Sequence, residues 1–167
     1  DIFNLHHVFF PINIKNVHWT LGYVDMKKHL IYYYDPMCDG CDQSGKGRLY
    51  TNLIWKYLEE EHFSLRKERL PSDWNMVDPM HIKGPQQTDT WNCGPFVILI
   101  VDAICTLGVP PEVLFLFGDW SISSKDMDAY RYRMGAMIMK KEIPALPNLP
   151  LPIEKTVSSC PYQRVGY

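Results

Sequence analysis

The run from Cys93 to Leu107 (CGPFVILIVDAICTL) constrains the chain more than any other stretch. It is apolar apart from Asp102, with Pro95 near its start and Gly108 just past its end. A proline suits the first helical turn, where its missing N–H would have no acceptor, and a glycine suits the left-handed cap beyond the last turn. The run is too short, and too clearly broken by a charge, to span a bilayer. It therefore predicts a buried helix over 93–107, which the rest of the chain must cover. With 167 residues there is enough chain for one domain with a real core.

The covering material comes first as strands. Val8 to Ile12 is a short apolar run, followed by Val17 to Val24 (VHWTLGYV) and Leu30 to Tyr34 (LIYYY). Both longer segments are rich in β-branched and aromatic residues, and only Asp25-Met26-Lys27-Lys28 and His29 separate them, so they pair as an antiparallel hairpin. Tyr32, Tyr33 and Tyr34 should alternate between the two faces. Asp35-Pro36 ends the strand. A Gly/Asp/Ser loop follows over 37–48, then an amphipathic helix from about Leu49 to Glu61 with Leu53, Ile54, Tyr57 and Leu58 on one face. A short strand near Trp74 to Val77 and a turn at Gly84-Pro85 lead to the buried helix. A last helix is expected from Ser124, as N-cap, to Lys141, with Met127, Tyr130, Met134 and Ile138 at helical spacing. Five prolines from Pro144 onward mark an extended tail. Strands first and helices later favour an α+β fold over a doubly wound one.

Bulk properties exclude more than they assign. The chain is 46% hydrophobic and 22% charged, with a formal net charge of −2. It has no basic stripe, so a nucleic-acid partner is not expected. No signal peptide or membrane span is visible. Five cysteines are odd in number and too sparse for a disulfide scaffold. That pattern fits a reducing intracellular compartment, nucleus or cytoplasm, where a thiol can act as a reagent. A monomer is expected.

Cleavage of an amide by a thiol needs a cysteine held near its thiolate, a base, a group that orients the base, and donors for the oxyanion. Cys93 opens the predicted helix, where terminal N–H groups and the helix dipole stabilise a thiolate, and Gly94 leaves room for a substrate backbone. His18 lies in one strand of the hairpin and Asp35 closes the other, so the carboxylate can reach the imidazole, fix its tautomer and stabilise the imidazolium. On that view Asp35→Asn should slow turnover through the wrong tautomer. Gln87, six residues before Cys93, can offer a side-chain amide beside the Cys93 N–H as oxyanion donors. Taken singly, each has a structural explanation: a core thiol, a strand histidine, a turn aspartate, a polar loop residue.

Together they form an ordered set. His18-Trp19 after an apolar strand, Tyr34-Asp35-Pro36-Met37 after the next, Gln86-Gln87 leading to Asn92-Cys93-Gly94, and Tyr130-Arg131-Tyr132-Arg133-Met134 resemble the Ulp/SENP family of ubiquitin-like-protein proteases. The chain order His, Asp, Gln, Cys matches that family and not papain itself, where Cys precedes His. The resemblance implies a papain-like-superfamily core with a mixed, mostly antiparallel sheet flanked by helices. It implies His18 as base, Asp35 as orienting acid, Gln87 as oxyanion donor and Cys93 as nucleophile. It implies Trp19 as one wall of a tunnel that admits only a Gly-Gly tail. The partner would be SUMO or another ubiquitin-like protein with its conjugates, and no cofactor or metal is required.

The resemblance covers about 1–142, with 143–167 as tail. The family's upstream helices, with a Trp-Leu-Asn-Asp-like motif that supplies the second tunnel wall, have no counterpart in the sequence, so a catalytic domain lacking its N-terminal part is expected. Asn92 stands where the family commonly has Asp. Cys38-Asp39-Gly40-Cys41 is foreign to the family pattern; a structural zinc needs four ligands and no second pair appears, so a loop with two exposed thiols is the reading. The rival functions are an inactive relative that binds a ubiquitin-like protein, and an acetyltransferase, for which no phosphate-binding or basic cluster is present.

Overall fold

The computed structural model describes residues 1–37, 45–108, 111–115 and 122–141. The Cys38/Cys41 loop and the proline-rich stretch from 143 onward lie outside these residues. Four strands, β1 (His7–Ile14), β2 (His18–Asp25), β3 (Leu30–Tyr34) and β4 (Asn75–Met76), form one sheet in the order β1-β2-β3-β4. The first three run antiparallel and β4 joins β3 in parallel, giving the mixed, mostly antiparallel sheet expected. The first turn is tight: Ile14 pairs with His18, and Lys15 and Asn16 take left-handed backbone at φ 52° and 62°. In the second turn the Asp25 carboxylate accepts from the N–H groups of Lys27 and Lys28 at 3.1 and 3.0 Å. This aspartate turn sets the β2–β3 hairpin.

Helices α1 (Lys46–Arg66), α2 (Cys93–Leu107), α3 (Pro111–Phe115) and α4 (Met127–Lys140) complete the domain. The α2 bounds are those read from sequence. On one sheet face Ile54 and Leu58 of α1 pack with Val24, Ile31 and Trp74. On the other, Val97, Ile100 and Ile104 of α2 pack with Leu21, Tyr23, Tyr32 and Tyr34. Tyr33 faces the α1 side, stacked on Tyr50 with centroids 5.7 Å apart, so the three tyrosines alternate as predicted. Helix α4 lies behind α2, joining Met127 and Tyr130 to Phe96 and Leu99.

Three local expectations change. The apolar stripe of α1 is narrower than predicted, because Leu53 and Tyr57 are exposed while Thr51 and His62 are buried. The last helix opens with a 3-10 turn capped by Ser123, not Ser124: the Ser123 N–H donates to the Asp126 carboxylate at 2.8 Å in a capping box. On α4 Ile138 is exposed and Arg133 is buried instead. Arg133 Nε and Nη2 donate to Asp102 Oδ2 at 3.1 and 3.0 Å, and the Tyr130 hydroxyl donates there at 2.8 Å. The one charge of the apolar helix selects this arrangement, because a buried carboxylate needs a cation and hydrogen bonds. No described helix is long and apolar enough to cross a membrane.

Candidate active site

The hairpin register pairs Leu21 with Tyr34, so the residue after β3 comes alongside the start of β2. There His18 Nε2 donates to Asp35 Oδ1 at 2.7 Å, with side chains only 15% and 18% exposed. The Met37 N–H donates to the same Oδ1 at 2.9 Å, and the Gln86 side-chain amide donates to the Asp35 carbonyl at 3.3 Å. The carboxylate accepts, so in the neutral ring the proton lies on Nε2 and Nδ1 carries the lone pair. His18 Nδ1 is buried with no hydrogen-bond partner among the described residues. A buried acceptor left unpaired costs about 1–3 kcal/mol, so such an atom calls for an explanation. A base awaiting a proton is one.

Helix α2 begins at Cys93, which is buried. Trp19 shares a face of β2 with Leu21 and Tyr23, and its Cδ1 lies 3.7 Å from where a β-carbon on Gly94 would be. The indole beside His18 thus touches the first turn of the Cys93 helix, and it remains 41% exposed. This is ordinary van der Waals distance, so even a β-carbon at position 94 would fit beside Trp19.

Gln87 is also buried, and its backbone N–H donates to the Pro36 carbonyl at 2.8 Å, tying it beside the Asp35 corner. Its side chain departs from the simplest expectation. Nε2 donates to the Asp89 carbonyl at 2.6 Å, and Oε1 is buried without a partner among the described residues. One amide N–H is therefore engaged within the loop and one is left over. His18 and Asp35 are brought together directly, Trp19 lies beside the start of the Cys93 helix, and Gln87 is tied to the corner after Asp35, while no hydrogen bond joins Cys93 to His18 among the described residues.

The residues that shape the turn before Cys93 were not singled out from sequence. The Asp89 carboxylate accepts from the N–H groups of Trp91 and Asn92 at 3.1 and 3.0 Å and from Asn92 Nδ2 at 2.7 Å. Burial pushes the Asp89 carboxyl up, but hydrogen bonds from Ser124, Asn92 and Trp91 outweigh it and hold it below the usual range. Ser124, freed from the capping role, accepts from the Thr88 N–H at 2.9 Å. Arg131 of α4 donates to Asn92 Oδ1 through Nε at 3.1 Å and Nη2 at 2.9 Å, and to the Trp91 carbonyl at 3.0 Å. An aspartate two and three residues before its N–H donors is a readable turn signal. Contacts from α4 had no such signal. Among the described residues no group of three or more His, Cys, Asp or Glu could hold a metal.

A thiol at a helix N-terminus, an imidazole with a lone pair and a fixed, half-buried carboxylate are the parts of a nucleophilic acyl-transfer site. Comparison with known proteins points the same way. The model of the Ulp1 protease family C-terminal catalytic domain matches residues 1–144. Ubiquitin-like-specific protease 1 of Saccharomyces cerevisiae is 34% identical over 99 residues, covering 59% of this chain and 14% of that protein. Putative ubiquitin-like-specific protease 1B of Arabidopsis thaliana is 26% identical over 141 residues, covering 84% and 36%. Among solved structures, the C-terminal Ulp1 protease domain in complex with Smt3, the yeast ortholog of SUMO, superposes with a TM-score of 0.59 at 24% identity, covering 84% of this chain and 55% of that one. The Chaetomium thermophilum Ulp1-like SUMO protease catalytic domain gives 0.56 at 23%, covering 86% and 49%. At these identities the structures speak to the fold. The chain spans 14% and 36% of the two curated relatives and about half of the solved domains.

Proposed function

This chain belongs to the Ulp1 protease family, and on that premise we propose that it is a thiol protease hydrolysing peptide or isopeptide bonds after the C-terminal Gly-Gly of a ubiquitin-like protein, SUMO before ubiquitin or NEDD8. The observation that carries the reading is the His18–Asp35 pair at 2.7 Å with the other ring nitrogen buried and unpaired among the described residues. Asp35 holds the proton on Nε2, which leaves Nδ1 to take the Cys93 thiol proton. The thiolate adds to the scissile carbonyl, and the oxyanion draws on the Cys93 N–H and the uncommitted N–H of Gln87 Nε2. The imidazolium returns its proton to the leaving amine, giving a thioester that water hydrolyses with His18 again as base. Trp19, half exposed over Gly94, suits a wall against an extended backbone whose residues lack side chains. Partners are then SUMO or a similar protein and its conjugates, by analogy with the Smt3-bound relative.

The engagement of the Gln87 amide by the Asp89 carbonyl favours a second reading, an inactive relative that only binds a ubiquitin-like protein. Side-by-side reporters bearing the SUMO, ubiquitin and NEDD8 C-termini separate the two, together with a thiol-reactive probe built on the SUMO C-terminal glycine. Turnover of the SUMO reporter with labelling at Cys93 is expected. Binding without turnover or label would establish the second reading instead.

A further inference from the structure

Asn92 occupies the N-cap position of α2, yet its side chain makes no capping hydrogen bond to this helix. Asparagine is among the preferred N-cap residues because its side-chain oxygen accepts from the N–H of the second or third helical residue. Here the second is Gly94 and the third is Pro95, which has no N–H, so a capping oxygen has one available target, beside Cys93. Asn92 Oδ1 instead faces Arg131, which donates to it twice, at 3.1 and 2.9 Å. Its Nδ2 donates to Asp89 Oδ2 at 2.7 Å, so both ends of the amide are held away from the helix. Arg131 also grips the Trp91 carbonyl at 3.0 Å, and Asp89 holds the Trp91 N–H at 3.1 Å. The residues before the nucleophile are pinned from α4 on one side and from their own turn on the other.

We propose that Arg131 is a positioning residue that withholds the Asn92 side-chain oxygen from the N-terminus of α2. The effect is to keep the first helical amides for the Cys93 thiolate and the substrate oxyanion. Helix-terminal N–H groups are the source of anion stabilisation at such a site. A carbonyl oxygen turned onto Gly94 would consume one donor and set a partial negative charge against the thiolate. The charge of Arg131 is secondary to its forked shape, which reaches Asn92 Oδ1 and the Trp91 carbonyl together. This inference rests on the thiol-protease reading, but its sign is separate: removing Arg131 should improve the capping of α2 while impairing chemistry.

The test uses the full chain with Arg131→Met, Asn92→Ala and the double variant. Three measurements are taken: kcat and KM on the SUMO reporter, the rate of Cys93 alkylation by iodoacetamide at fixed pH, and Tm. Arg131→Met should lower kcat about 10- to 100-fold with KM within about twofold, the scale of a small misplacement at a reacting centre. Alkylation should slow about threefold or more as the thiolate loses donors, and Tm should hold or rise. Adding Asn92→Ala should restore most of both rates, since no oxygen is left to swing inward. A double variant as slow as Arg131→Met, or an unchanged Arg131→Met, would overturn the proposal. A fall in Tm without rescue would mark Arg131 as a brace and overturn it equally. Should wild type turn over no reporter, the protease reading fails by itself, and alkylation with its rescue still decides the role of Arg131.

Discussion

Asp35→Asn and Asp35→Ala should differ in a way set by one backbone contact. Asp35 Oδ1 accepts from both His18 Nε2 and the Met37 N–H, at 2.7 and 2.9 Å. An asparagine at this position must therefore place its oxygen, not its NH2, at that point, because two donors already converge there. The imidazole keeps its Nε2–H tautomer, contrary to the expectation from sequence. What Asp35→Asn removes is the negative charge opposite the imidazolium. With charge centres about 4 Å apart and an effective dielectric near 20, the attraction is at most about 4 kcal/mol, and about 2 where solvent reaches the pair. That is about 30- to 1,000-fold in kcat. Asp35→Ala removes the tautomer lock and the orientation as well, and should approach the roughly 10⁴-fold loss of a triad without its acid. The assay is kcat at saturating SUMO reporter, with Tm to show that both variants fold. Equal losses in the two variants would refute the role given to Met37. A loss under about threefold for Asp35→Asn would refute the charge argument.

Other outcomes follow from the same structure. Cys93→Ser should abolish turnover yet retain binding to a SUMO C-terminal tail, measured by calorimetry or an immobilised probe. Gly84→Ala should cost about 1–3 kcal/mol in urea unfolding, because a β-carbon there meets the buried Tyr34 ring, whose hydroxyl is tied to the Pro85 carbonyl. Gly22→Ala should fall at the low end of that range, since its main clash is with the tip of the Ile54 side chain, which can rotate. Burial pushes the Asp102 carboxyl up, but Thr106, Tyr130 and Arg133 outweigh it and hold it below the usual range. Its stabilisation is then complete above the ordinary aspartate value, about 3.9, and lost as pH falls through the lower folded value. Asp102→Asn should flatten that acid limb of the urea midpoint. It should also cost about 3–5 kcal/mol near neutral pH by stranding buried Arg133.

Much of the site was legible because its parts are local. Pro95 and Gly108 bound α2 by their own backbone chemistry, and the short β2–β3 connection forces Asp35 towards His18 whatever the rest of the chain does. The α4 register was not legible in the same way. Helical spacing from Met127 and Tyr130 continues to Met134, which packs against the core, and then to Ile138, which does not, and hydrophobicity gives no hint that Arg133 is buried. Asp102 settles it, since a carboxylate facing α4 makes Arg133 the better buried residue. That cue was present as the single charge in the apolar run, but its partner lies 31 positions away and only packing joins them. The same holds for Arg131 and Asn92, and for Ser124, which accepts from the Thr88 N–H while Ser123 takes the cap.

These long-range contacts change what α4 is for. Arg133 meets α2 at Asp102, in its third turn, while Arg131 meets it at Asn92, just before Cys93. The buried Arg133–Asp102 pair holds α4 against the middle of α2, whereas the Arg131 contact acts on the residue just before that helix. The sheet offers no such control: the α2 contacts there are apolar and tolerate small shifts. His18 and Asp35 are fixed to the sheet, and Cys93 is fixed to α2. The separation of His18 from Cys93 therefore depends in part on a helix that carries none of the residues nominated for catalysis, and substitutions on its α2-facing side can change that separation while leaving the His18–Asp35 pair intact.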